Sequence, residues 1–248
     1  MKKVFKNWNW FEIIFLIVSY VVLSLCFALS KDRNTFSFIV SLVGVTSVML
    51  VAKGLTIAPI VSIVYNILYA ILSVTQKYYG ETIIYIAIMI PLSIVSLVSW
   101  AKNKNTGKEE QVQVNKISKK EYLILSLVVV AVTVGFYFLL KALKTSELIV
   151  STISLVAPVI SAYLMLRRSS NYAICFIVSN VVLIVLWGLS IKTAGAGFLP
   201  TICSFVIFTI LDVYGLVHWK NEEKRQRDEM GMSENSDDKK TVSENLNK

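Results

Sequence analysis

Residues 57–75 read IAPIVSIVYNILYAILSVT, nineteen positions without one charged side chain. About 20 predominantly apolar residues span the roughly 30 Å hydrocarbon core of a bilayer as a helix, so this run predicts a membrane crossing. Seven further windows of the same kind surround it: Phe11–Leu29, Phe36–Ala52, Thr82–Trp100, Tyr122–Leu143, Leu148–Leu166, Tyr172–Ile191 and Phe198–Trp219. An apolar content of 55% and a mean hydropathy of +0.65 argue against a water-soluble fold. Unsatisfied backbone amides are costly in lipid, and the runs are too long and too uniformly apolar for barrel strands. The expected fold is therefore an all-α polytopic membrane protein with eight transmembrane helices.

The opening MKKVFKNWNW is lysine-rich like a secretory leader, but no convincing small-x-small cleavage site follows it, and the first run is retained as a helix. Lys and Arg fall in alternate loops as 19 against 6. The positive-inside rule then places both termini in the cytoplasm, and the expected location is the inner (plasma) membrane. The net charge of +9 thus reports topology; no basic patch with interleaved aromatics points to nucleic acid. Cys26, Cys175 and Cys203 lie inside spans as small apolar fillers, and no cofactor or metal spacing exists among them. Trp8, Trp10, Trp100 and Trp219 read as interfacial belt residues. The stretch KNKNTGKEEQVQVNKISKK reads as a solvated linker and the polar end of the chain as disordered.

Internal similarity divides the chain further. SLVGVTSVMLVAKG from Ser41 aligns with SLVAPVISAYLMLRR from Ser154, and IVYNILYAIL with IVSNVVLIVL, at offsets of 113 and 114; each triplet closes on Trp plus basic residues, SWAKNK and HWKNEEK, at an offset of 119. Such self-similarity marks a duplicated unit. One helix inserted between two three-helix units restores their common direction, giving parallel repeats about an axis along the membrane normal. The expected organisation is an extra helix (1–30), a first repeat (36–100), a loop and linker helix (101–147), a second repeat (148–220) and a disordered tail (221–248).

The repeat pairs two buried amides, Asn66 and Asn180. At the midplane between parallel units they suit a polar solute, because an amide both donates and accepts; as interhelical glue they would contribute about 0.6–2 kcal/mol each. Asn180 shares its helical face with Phe176, Ile177, Leu183 and Trp187, and Asn66 with Ser62, Tyr69, Ala70 and Ser73. Flat aromatics beside amides suit a ring-bearing solute, since stacking is worth about 1–3 kcal/mol in nucleic-acid binders; ordinary packing is the other reading of each ring. Asp212 is the one acid well inside a span, and such acids normally face a bundle interior or wet cavity, though Trp219 two turns away allows a hydrated interfacial acid instead. Pro91 and Pro158 each remove a backbone hydrogen bond in mid-span, as hinges or as static kinks.

QKYYGETIIYIAIMIPLSIVSLVSW and LDVYGLVHWK together resemble the PnuC family of bacterial nicotinamide riboside transporters, over about Phe36–Lys220. The resemblance implies a SWEET-like 3+1+3 arrangement with an additional first helix, working as a facilitator whose substrate is trapped by a cytosolic kinase. It implies a small-molecule substrate, nicotinamide riboside or a relative such as thiamine, riboflavin or a deoxynucleoside, and leaves a homo-oligomer open. The family's W-x-x-W-x-x-x-N becomes Ala173, Phe176 and Asn180; its N-x-x-Y-Y-x-P-x-Q becomes Tyr85, Ile88, Met89, Pro91 and Ser93; its N-x-Y-G-x-x-x-W becomes Asp212, Tyr214, Gly215 and Trp219. Substrate contacts are accordingly expected at Asn66, Tyr69, Ser93, Phe176, Asn180 and Trp187, and gate or pathway roles at Tyr79, Pro91, Asp212 and Tyr214.

Other classes fit less well. Intramembrane proteolysis would need paired aspartates, a Ser with a suitable His, or a zinc set, and the chain offers one deep Asp and one interfacial His, His218. KNTGKEE lacks the first glycine of a Walker loop, and no lysine sits mid-span for a retinal Schiff base. The sequence therefore predicts no enzyme. A non-transporting scaffold or receptor is the remaining rival.

Overall fold

The computed structural model describes residues 8–30, 33–105, 111–143, 148–194 and 196–246. Of the charges used for topology, Lys2, Lys3, Lys6, Lys31, Lys108, Lys144 and Lys248 lie outside these residues, as do Gly107 and its neighbours in KNTGKEE. The fold is helical: α1 (Trp10–Leu29), α2 (Thr35–Ala52), α3 (Ala58–Thr75), α4 (Tyr79–Ile84), α5 (Ile90–Lys102), α6 (Lys119–Ala142), α7 (Leu148–Ser154), α8 (Val156–Leu166), α9 (Tyr172–Ala194) and α10 (Leu199–Leu246). Among the described residues seven helices are long and apolar enough to cross a membrane, the fourth being the continuous Tyr79–Lys102 segment. The chain is a multi-pass membrane protein.

Two expected spans have an irregular middle. Between α4 and α5, Tyr85–Met89 form a wide π turn in which Ile90 N–H donates to Tyr85 O. Pro91 has no N–H to give the carbonyl of Ala87, and widening the preceding turn absorbs that loss. In the sixth expected span Pro158 likewise leaves Ser154 O without its helical donor, and the helix breaks at Leu155 into α7 and α8. An eighth unbroken helix is thus replaced by two short ones.

Helices α2, α3 and α10 form the core, whereas α1 and α6 expose long rows of apolar side chains, including Ile14, Ile17, Val21 and Leu25 on α1 and Leu123, Leu127 and Val130 on α6. In a lipid solvent these rows are ordinary outer faces. Helix α1 is fastened at one end by a buried ion pair, Lys53 to Glu12, whose other oxygen accepts Tyr214 Oη at 2.5 Å. At the other end Cys26 Sγ meets Cys203 Sγ at 2.8 Å.

Three sequence expectations are corrected here. The linker is solvated only in part: Gln111 and Val112 are buried, and Val112 N donates to Gly54 O at 2.9 Å, Asn115 N to Arg168 O at 2.9 Å, and Val114 N to Gln226 Oε1 at 2.9 Å, whereas Gln113, Lys116 and residues 118–120 are exposed. Helix α10 continues to Leu246 where disorder is expected; its first turns beyond the span are held by Glu222–Arg225–Glu229 ion pairs and by Ser170 Oγ donating to Glu223. Trp100 and Trp219 are buried rather than interfacial, at 0% and 2% exposure. Just outside the spans, the Arg167 guanidinium bonds Glu121 at 2.7 Å, which holds it above its usual range.

Candidate functional site

One internal cavity of about 70 Å³ lies between α2–α5 and α8–α10. Asn66 and Asn180 both line it, from α3 and α9, and both are buried. Asn66 Nδ2 donates to Ser93 Oγ at 3.0 Å, and Asn180 Nδ2 donates to Asp212 Oδ2 at 2.8 Å. Ser93 and Asp212 are themselves related by sequence position, each seven residues before the closing tryptophan of its triplet. The two halves thus present the same device, an amide tied to an acceptor on the next long helix, with a hydroxyl on one side and a carboxylate on the other. Each amide keeps a second N–H and a carbonyl oxygen for a solute.

The walls between these groups are aromatic. Tyr65, Tyr85, Phe176, Phe205 and Phe208 line the cavity, with Ser47, Ser62 and Ser179 adding hydroxyls. Tyr85 and Met89, the first and last residues of the π turn, both line the cavity, and Pro91 just beyond the turn does not. Above this level Tyr69 and Trp187 form a second layer. Trp187 Nε1 donates to Tyr69 Oη at 2.7 Å, Tyr69 lies 4.4 Å from the Tyr85 ring centre, and Trp187 packs on Phe198 and Tyr78.

At the opposite end Tyr172, Trp100 and Trp219 close the bundle, their rings within 5.2–5.6 Å of Trp219. Trp100 Nε1 donates to Met165 O at 3.1 Å and Trp219 Nε1 to Val51 O at 3.0 Å, so each half's tryptophan bonds the other half's backbone. The accepting turns match in detail: Gly54 and Arg168 adopt φ of 64° and 60°, three residues after Val51 and Met165 respectively.

The expected site residues therefore divide. Asn66, Ser93, Phe176, Asn180 and Asp212 meet at one cavity. Tyr69 and Trp187 stand in the layer behind it. Tyr79 does not reach it: Tyr79 is half-buried at the start of α4, and Tyr78 instead points inward, its Oη donating to Leu186 O at 2.8 Å. Tyr214 is also away from it, on the α1 side of α10 between Glu12, Phe11 and His218, because the helical turn after Asp212 rotates it outward. Tyr65, Tyr85, Ser47, Ser62 and Ser179 also line the cavity; of these only Ser62 shares the helical face of Asn66 by spacing, and Tyr65 and Ser179, as direct neighbours of the two amides, carry no spacing signal.

The cavity wall is closely fitted at Gly44, where an added Cβ would lie 2.6 Å from Phe208 Cζ and 2.7 Å from Tyr65 Cε2. Gly44→Ala is expected to cost about 1–3 kcal/mol through overpacking, read as a lowered melting temperature of the detergent-purified protein. An unchanged melting temperature would mean the two rings move aside freely.

Comparison with known proteins agrees with this architecture. The family described as "Nicotinamide mononucleotide transporter" matches residues 34–221. A nicotinamide riboside transporter, PnuC, of Neisseria mucosa is 26% identical over 234 residues, covering 90% of this chain and 86% of that protein. The crystal structure of a vitamin B3 transporter PnuC superposes with a TM-score of 0.79 at 23% identity, covering 90% of this chain and 96% of that one. With the family's sequence pattern extending over most of the chain and the helical fold shared almost end to end, this protein belongs to the PnuC family of membrane transporters.

Proposed function

We propose that this chain imports nicotinamide riboside, or a closely related ring-bearing vitamin or nucleoside, by facilitated diffusion across the inner membrane, with both termini cytoplasmic and a cytosolic kinase trapping the product. The observation that carries this reading is a cavity in which Asn66 and Asn180 from two halves of the chain meet among aromatic rings. Its chemistry favours a riboside over a nucleotide. A phosphate calls for Arg, Lys or clustered N–H donors, and the lining residues include no cation.

The two halves act as parallel repeats on this reading, and the reciprocal Trp100 and Trp219 bonds support it. The broken pair α7–α8 then completes the eighth crossing, its 148–166 stretch being about 28 Å long if fully helical. Small-molecule sites usually measure about 300–1,000 Å³, well above the present cavity, so the structure corresponds to a closed state. Loading requires the Tyr69–Trp187 layer or the Trp100–Trp219 layer to part. The π turn before Pro91 is the hinge we assign to that movement, since it carries Tyr85 and Met89 into the cavity.

Uptake of labelled nicotinamide riboside into liposomes holding only this protein tests the reading. Asn66→Ala and Asn180→Ala are each expected to reduce uptake about tenfold, the effect of roughly one lost hydrogen bond to a buried polar solute, with the melting temperature little changed. Destabilisation without a specific uptake defect would instead make the amides interhelical glue and favour the scaffold reading.

A further inference from the structure

Building on the carrier reading, we infer that this chain selects solutes whose ring carries a positive charge, and that Asp212 is the specificity-determining residue. Asp212 is 3% exposed, lines the cavity and meets Asn180. No Lys, Arg or His lines the cavity. Among the described residues Asp212 forms no ion pair. A carboxylate at this depth is costly to insert, and packing does not demand it. The corresponding place in the first half holds Ser93, which serves the same purpose for Asn66 without a charge. What the carboxyl adds to the cavity is a group able to carry a negative charge, and a cationic solute is the partner that favours that form.

A second buried carboxylate lies outside the cavity. Glu81 is 1% exposed; its Oε1 accepts Ser154 Oγ at 2.6 Å, and its Oε2 is buried without a hydrogen-bond partner. It lies one helical turn before Tyr85, whose ring lines the cavity. Aromatic faces attract cations through their quadrupole, most strongly when water is excluded. A carboxylate among aromatic rings in one cavity suits a pyridinium or thiazolium ring. Neutral nucleosides gain nothing from the charges, and phosphorylated ones are repelled.

Nicotinamide riboside and its reduced dihydropyridine form make a matched pair, with the same ribose and carboxamide but a cationic and a neutral ring. In proteoliposomes the wild-type protein is expected to favour the cation at least tenfold in kcat/KM. Asp212→Asn is expected to reduce that ratio about tenfold, chiefly by raising KM for the cation, Asp212→Glu to retain it, and Glu81→Gln to lower it in the same direction. Equal wild-type handling of the two forms, or an unchanged ratio in Asp212→Asn, overturns charge selection while leaving the carrier reading intact. Transport of neither form by the wild type removes both. Should Asp212→Asn carry neither, the rise in melting temperature produced by each solute decides: loss for the cation alone supports the inference, and equal loss for both overturns it.

Discussion

Lys53→Met is expected to cost about 3–5 kcal/mol of stability, the usual penalty for breaking a buried ion pair from one side. Lys53 and Glu12 each expose only 2% of their side chains. Glu12 accepts Lys53 Nζ and Asn9 N on one oxygen and Tyr214 Oη on the other, and Lys53 also lies over the Trp8 ring at 4.9 Å. Without the lysine, a buried carboxylate is left with two neutral donors. A paired change to Glu12→Leu and Lys53→Met removes both charges together and is expected to cost far less, because apolar replacement of a whole buried pair is often neutral. Unfolding of the four proteins of this cycle in detergent measures the coupling. Additive losses would show that the pair merely fills space, and that α1 is held by its apolar contacts.

The same contact shows where sequence reading stops. Glu12 and Lys53 are 41 residues apart, and each reads alone as a charge at the end of a span; only the packing of α1 against α2 and α10 shows that they are buried partners. Runs such as 57–75 are legible because a membrane asks one simple property of every residue, and length then implies a helix. Irregular helices are less so: Pro91 and Pro158 have the same local chemistry, yet one is absorbed by a π turn and the other breaks the helix at Leu155. Asn66 and Asn180 are legible because the repeat presents the same amide twice at matching positions, and both line one cavity. Tyr79 and Tyr78 are not distinguished by sequence because neighbours in a turn point in different directions that no spacing rule resolves, and motif membership says nothing about which face of α10 Tyr214 occupies. Trp100 and Trp219 read as interfacial belts because aromatic residues at span ends usually are; their reciprocal bonds to Met165 O and Val51 O depend on the two halves meeting.

A carrier that moves a cation without a counter-ion must respond to voltage, and this is the largest effect expected of the transport reaction. Moving one elementary charge across 100 mV is worth about 2.3 kcal/mol, so with the interior at −100 mV a cationic riboside should accumulate about 50-fold at equilibrium. Liposomes with a potassium gradient and valinomycin impose that voltage without ATP and without a proton or sodium gradient. The cation is expected to reach that ratio, to stop at unity when the voltage is collapsed, and the neutral dihydropyridine form to stop at unity in both cases. A cation ratio that ignores voltage would mean compensating charge movement, and a requirement for a proton or sodium gradient would end the facilitated-diffusion reading. The charge of the site also explains why trapping by phosphorylation would be effective. On the proposed reading the phosphorylated product would meet Asp212 in a cavity lined by no Lys, Arg or His, so a carboxylate that draws the cation in would disfavour its phosphorylated form on the way out.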